Sequence, residues 1–290
     1  MQPTEHWHDT RRGPIFARHW GDPDKPRLLM LHGFPEYSMA WAGLAERLVD
    51  RFYCIAPDQR GYGQTGGPDD VEAYGVGALV PDMVDLIGDG PVTVLGHDWG
   101  AGVAYGLAMF ASKHVTRLIV MNGVHPVPFQ RALAKGGAQS EASQYMTVLR
   151  REGSDQWLAE NDFEKLMQLF SAHMDLGWMT PEILSQYKAE WGRPGRLKTM
   201  THWYRASPLL VAKPGEPITG LPDYPPTKLQ VRCPHLLIWG VGDTALLPET
   251  TEGLEQFAPD LTRVDIDGAD HWLAHQKPDD VAAAILNWHP

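Results

Sequence analysis

The run Val92-Thr93-Val94-Leu95 ends in Gly96-His97-Asp98-Trp99-Gly100 and gives way to the small, apolar segment Ala101-Gly102-Val103-Ala104. A β-rich stretch followed at once by a helix-compatible one puts an acidic side chain at a tight strand-to-helix turn. Gly96 and Gly100 flank that acid at equal offsets, where the turn leaves no room for a β-carbon. The pattern is a nucleophile elbow with Asp98 in the serine's place. A carboxylate is already ionised at neutral pH and suits displacement at a saturated carbon, whereas a serine hydroxyl needs a base and suits attack on an acyl carbon. The product of such a displacement is an alkyl ester of the enzyme. An aspartate at a helix start can also be a plain N-cap; the paired glycines directly after an apolar strand favour the elbow.

Around this turn, apolar β-rich runs recur at Leu28 to Leu31, Phe52 to Ala56, Leu118 to Met121, His235 to Trp239 and Leu261 to Ile266. Most are separated by helix-compatible stretches, which predicts a mostly parallel, doubly wound sheet with helices on both faces. Between about 128 and 228 the pattern turns helical and rich in Met, Trp and Gln, with proline-marked edges at His125 to Pro128 and at Lys213 to Pro226. This predicts a core over 1–127 and 229–290 carrying an inserted helical cap over 128–228, set above the carboxyl edge of the sheet where such sheets bind ligands.

At 290 residues the chain is long enough to bury a sizeable core without disulfides, and its two cysteines, Cys54 and Cys233, read as thiols of a reducing compartment. A cytoplasmic address is expected, since the amino terminus lacks a basic segment followed by an apolar one and no segment reaches a membrane-spanning length. A net charge of -11 disfavours nucleic acid. The expected partner is a small molecule, with a homodimer left open. No cofactor or metal is expected: Gly61-Tyr62-Gly63-Gln64-Thr65-Gly66 fits a dinucleotide-binding string but runs into Gly67-Pro68 where a helix is required, so it reads as a loop. His6-Trp7-His8 lies in a terminus expected to be mobile, and its histidines read as incidental.

Hydrolysing an ester on Asp98 needs a base, and a histidine held by a carboxylate is the usual solution. Asp243 follows the run ending at Trp239, and His271 follows the last strand; the order nucleophile, acid, histidine matches the elbow. His275 is a second histidine four residues on, and Asn122, after Met121, sits where an alternative acid would be but carries no charge. His32-Gly33-Phe34-Pro35 follows the Leu28 to Leu31 strand; there the Phe34 amide, with that of Trp99, can form an oxyanion hole. The Phe34-Pro35 bond is a candidate cis peptide.

The chain resembles the α/β-hydrolase-fold epoxide hydrolases from about residue 10 to its end. The likeness rests on His32-Gly33-Phe34-Pro35-Glu36, Asp58-Gln59-Arg60-Gly61-Tyr62-Gly63, Gly96-His97-Asp98-Trp99-Gly100, Asn122 to Pro126, His202-Trp203-Tyr204-Arg205 and the surroundings of Asp243 and His271. The resemblance implies conversion of a small to medium, mainly hydrophobic epoxide to a vicinal diol without a cofactor. It also implies that two cap tyrosines donate to the ring oxygen: Tyr204 and Tyr145, with Tyr105 and Tyr187 as alternatives. His32, Pro35, Trp99, Trp178 and Trp203 are expected at the substrate pocket. Haloalkane dehalogenases share the aspartate elbow, but commonly hold the halide with the residue after it and an Asn after His-Gly. Trp99 meets the first condition and Phe34 fails the second. Haloacetate enzymes carry Arg where this chain has Trp99. A non-catalytic binder of small ligands is the third reading.

Overall fold

The computed structural model describes residues 1–172, 174–222 and 224–289. Its strands are β1 (Thr4–His8), β2 (Ile15–Trp20), β3 (Arg27–Leu31), β4 (Tyr53–Pro57), β5 (Val92–His97), β6 (Val115–Met121), β7 (His235–Gly240) and β8 (Leu261–Ile266). They form one sheet in the order β1-β2-β4-β3-β5-β6-β7-β8, parallel throughout except for the β1–β2 and β2–β4 pairs. The sheet and its helices make an α/β-hydrolase fold.

Most of the apolar runs expected to be strands are strands because both of their faces are buried; the run at β8 pairs with β7 although only Ile266 in it is buried. In β3, Leu29 and Leu31 join one hydrophobic core while Leu28 and Met30 join the other, and in β7 Leu237 and Trp239 alternate with Leu236 and Ile238. One face is covered by α1 (Ala42–Leu48) together with α10 (Leu273–Gln276) and α11 (Pro278–Trp288), the other by α2 (Val76–Ile87) and α3 (Trp99–Phe110). Between β6 and β7 run α4 (Pro126–Ala134), α5 (Ala138–Ala142), α6 (Gln144–Leu149), α7 (Ser154–Ser171), α8 (Pro181–Trp191) and α9 (Arg196–Ala206). Proline opens both α4 and α8, where its missing N–H costs nothing, and the Thr180 hydroxyl accepts from the Ile183 amide to cap α8. The backbone of α7 breaks from helical geometry at Glu160–Phe163.

The amino terminus corrects one expectation. His6 and His8 lie in β1, paired with β2, and His8 Nε2 stands 3.1 Å from His19 Nε2, so the segment is an ordered edge ribbon. The glycine string is a loop, as expected, and serves as a landing for α9. The Thr199 hydroxyl donates to the Gly61 carbonyl at 2.7 Å and the Trp203 indole to the Arg60 carbonyl at 2.9 Å. Among the described residues no helix is long and apolar enough to cross a membrane.

Candidate active site

Asp98 occupies a backbone position with φ 51° and ψ -123°, a region that non-glycine residues rarely adopt, so the turn is strained. The glycines explain how it closes. A Cβ on Gly100 would stand 2.1 Å from the Leu31 carbonyl oxygen, and one on Gly96 would stand 2.7 Å from the Gly100 carbonyl. The turn lifts the Asp98 side chain to the carboxyl edge of the sheet. There the Phe34 amide donates to Asp98 Oδ1 at 2.7 Å, beside a Phe34–Pro35 bond that is cis. Trp99 opens α3, so its amide belongs to the first turn, where N–H groups have no helical acceptor.

His271 Nδ1 donates to Asp243 Oδ2 at 2.7 Å, and His271 Nε2 stands 3.6 Å from Asp98 Oδ2. Burial disfavours the imidazolium, yet the Asp243 carboxylate, and after it Asp98, outweigh that and raise the His271 pKa well above the ordinary value. Burial likewise opposes ionisation of Asp243. His271, the Asn122 amide and the Leu246 N–H overcome it and hold the carboxyl below its usual range. Asn122 is therefore a brace: its amide donates to Asp243 Oδ2 at 2.7 Å while its oxygen accepts from the Gly240 N–H at 2.7 Å.

Two phenols reach the same space from the helical insertion, Tyr145 on α6 and Tyr204 on α9, with ring centroids 6.1 Å apart. The Tyr204 ring stands edge-on to both Phe34 and Trp99. Burial, reinforced by nearby Asp98, pushes both pKa values far up, so each phenol stays a protonated donor. A cavity of about 170 Å³ is lined by Asp98, Tyr145, Tyr204, His271, Phe34 and Pro35 among others, and Trp99 lines an adjoining one.

The structure thus brings together Asp98, His271, Asp243, Tyr145, Tyr204, Phe34, Pro35 and Trp99. It does not bring His32, Trp178 or Trp203 to the wall of either cavity. His32 is wholly buried, its Nε2 accepting from the Gln59 amide at 3.2 Å; Trp203 is spent on Arg60; Trp178 stacks on His275 with centroids 3.8 Å apart. The alternative tyrosines are also elsewhere: Tyr105 lies between His125 and His235, and Tyr187 donates to Glu36 Oε1 at 3.0 Å.

Sequence reasoning missed a third carboxylate beside the site. Glu36 is buried and accepts from His275 Nε2 at 2.6 Å, with His97 Nδ1 at 3.4 Å; His97 Nε2 in turn donates to the His271 carbonyl at 2.8 Å. Burial opposes the Glu36 charge, and His275, then His97, hold the carboxyl well below the usual range. The signal was present, since Glu36 follows Pro35 and His97 precedes Asp98, but nothing in the chain order pairs them. His275, the rival base, is committed to Glu36.

A hydrolase of the α/β-hydrolase fold family is what these strands, elbow and side chains make: the chain belongs to that family, whose model, described as alpha/beta hydrolase fold, matches residues 26–278. It is 32% identical over 273 residues to the AB hydrolase superfamily protein YfhM of Bacillus subtilis, covering 92% of this chain and 91% of that one. Epoxide hydrolase 4 of Homo sapiens is 29% identical over 275 residues, 91% of this chain and 72% of the human protein. Among solved structures, one described as a novel epoxide hydrolase of this superfamily from hot-environment metagenomes superposes with a TM-score of 0.90 at 33% identity, covering 100% of this chain and 99% of its own. The Bacillus megaterium epoxide hydrolase in complex with an inhibitor gives 0.84 at 26% identity, covering 98% and 99%.

Proposed function

We propose that the protein is an epoxide hydrolase working through an ester on Asp98, with residues 128–228 acting as the cap that supplies the acids. Asp98 Oδ1 is held by the Phe34 amide, which leaves Oδ2 to attack an oxirane carbon. That C–O bond forms as the ring C–O bond breaks, and Tyr145 and Tyr204 donate to the departing oxygen, one of them giving up its proton. Alkylation removes the negative charge of Asp98, one of the two charges that raise the His271 pKa. His271 is thereby released to act as a base. It takes a proton from water, the hydroxyl adds to the ester carbonyl, and the resulting oxyanion lies against the Phe34 and Trp99 amides. Collapse expels the diol oxygen, which takes up the proton of the added hydroxyl as the carboxylate is restored, and the proton on His271 returns to the phenolate through the product or solvent.

The observation that carries this reading is the meeting of two protonated phenols with an ionisable elbow carboxyl across one cavity. A halide leaves as an anion and has no need of a proton donor. The names of the relatives point the same way. The test is intact mass spectrometry of His271→Gln exposed to a panel of epoxides and haloalkanes. Ester cleavage is blocked, so the expected result is a mass gain equal to the whole epoxide, located on Asp98. A gain equal only to an alkyl group from a haloalkane, with no epoxide adduct, overturns the reading in favour of dehalogenation; no adduct of either kind overturns the ester mechanism.

A further inference from the structure

His271 belongs to no strand or helix: it stands in the turn between Ile266, where β8 ends, and Leu273, where α10 begins. Asp243 orients its ring, but a base carried on a turn is aligned only as well as the turn itself is held. One segment of the helical insertion, the end of α7 and the link that follows it, does much of that holding. The Phe170 ring stacks on Trp272 with centroids 4.2 Å apart, and the Phe170 carbonyl accepts from the Trp272 indole at 3.1 Å. The Ala172 carbonyl accepts from the hydroxyl of Thr244, the neighbour of Asp243, at 2.8 Å.

Asp175, in that link, is gripped at both of its backbone polar groups. Its N–H donates to Asp270 Oδ2 at 2.7 Å, its carbonyl accepts from Gln276 Nε2 at 2.9 Å, and Gln276 Oε1 accepts from the Asp270 N–H at 2.8 Å. These hydrogen bonds close into a clasp on the residue that precedes His271. The other oxygen of Asp270 accepts from the Trp272 N–H at 2.9 Å, so one buried side chain joins the insertion to the backbone on the far side of His271. The groups assigned above to ester formation stand elsewhere: Asp98 on the β5-to-α3 turn, Tyr145 on α6 and Tyr204 on α9, none of them in the clasp. Resting on the epoxide hydrolase reading above, we infer that Asp270 is a positioning residue that makes seating of the insertion at Asp175 a condition of the second step alone. With the clasp closed, His271 is aligned to activate water; with it open, the ester forms but persists.

Asp270→Asn separates the two steps. The amide offers one acceptor oxygen to two N–H donors, so either Asp175 or Trp272 loses its partner. Wild type and variant are each mixed in a rapid-quench apparatus with the epoxide that labels His271→Gln most completely, beginning with styrene oxide, and the ester is counted by intact mass. In the variant the rate constant for ester hydrolysis is expected to fall about 10²-fold, the scale for a misplacement of about 1 Å, while that for ester formation stays within about twofold. The ester then accumulates on most of the enzyme. Gln276→Leu breaks the clasp at two of its bonds and leaves Asp270 in place. Gln276 is only half-buried, which keeps the test open if Asp270→Asn fails to fold. It is expected to slow the same step, and the double variant to lose little more than Asp270→Asn alone, since both side chains act in one ring.

A loss shared equally by the two steps, in either variant, overturns the inference, because a side chain that serves only the fold has no reason to single out hydrolysis. Unchanged ester hydrolysis in either variant overturns it as well. Both of those results leave the epoxide hydrolase reading standing, since the wild-type enzyme forms and cleaves its ester in the same experiment. If no epoxide leaves an ester on the wild-type enzyme or on His271→Gln, the inference and the reading fall together.

Discussion

Asp98 is the residue on which the reading turns, and the phenols opposite it give the reading its reaction. Replacing both, Tyr145→Phe with Tyr204→Phe, is expected to lower epoxide turnover about 10³-fold, the usual scale for loss of positioned proton donors. Ester formation, followed in rapid-quench experiments, should fall by the same factor; wild-type rates in the double variant would remove the tyrosines from the mechanism. At Glu36 the consequence is one of stability. Its folded pKa lies below the unfolded value of about 4.3, so the stabilisation is fully present above that pH and is lost as pH falls below it. Glu36→Gln is expected to cost about 3 kcal/mol at neutral pH and to flatten the fall of Tm below pH 4.3; parallel Tm profiles for the two proteins would contradict this. Asp98, Asp243 and His271 were legible in the sequence because strand ends and chain order locate them. Glu36, His97 and His275 were not, because each is explicable alone as a loop or helix residue and only folding brings 36, 97 and 275 into contact. The tryptophans were illegible for a related reason. Trp203 is buried on α9 and Trp178 half-buried in a turn, and neither position in the chain says whether a cavity, another ring or a carbonyl lies opposite.

The strands that sequence located, β3 to β8, each carry a run rich in apolar residues, even β8, in which only Ile266 is buried. The two it missed lack one: β1 is exposed at all but its last residue, and β2, though buried throughout, carries Arg18 and His19. Burial of Arg18 is made good by the Ser38 hydroxyl at 2.7 Å and by Glu5 at 3.1 Å, contacts that pattern alone does not reveal. The β5-to-α3 turn is the element with least freedom. Gly100→Ala would push a methyl group against the Leu31 carbonyl, and the expected loss is about 3 kcal/mol, read as a lowered midpoint in urea. Gly102→Ala, two residues on in the same helix, meets open space and is expected to gain about 0.8 kcal/mol. Equal effects at the two positions would show that helix propensity, not the close approach, governs this turn.

Across the whole molecule the two hydrophobic cores differ in what they support. The core that contains Leu29 and Val94 continues through Tyr204 and Trp191 into the helical insertion, so the wall of the cavities and the packing of that face are one body. The core that contains Leu28 and Leu95 is built from the sheet with α1, α10 and α11 and includes no residue of the insertion. Ile285→Ala, in α11, is expected to cost about 3 kcal/mol, seen as a lower Tm, with kcat/KM on any substrate unchanged at temperatures where the protein is folded. A change in substrate preference would show that the sheet transmits packing from one face to the other. The division gives the fold a reserve. Residues on the far face can be improved for stability without touching the reaction, and that surplus can then absorb the losses that come with reshaping the cavities around Asp98.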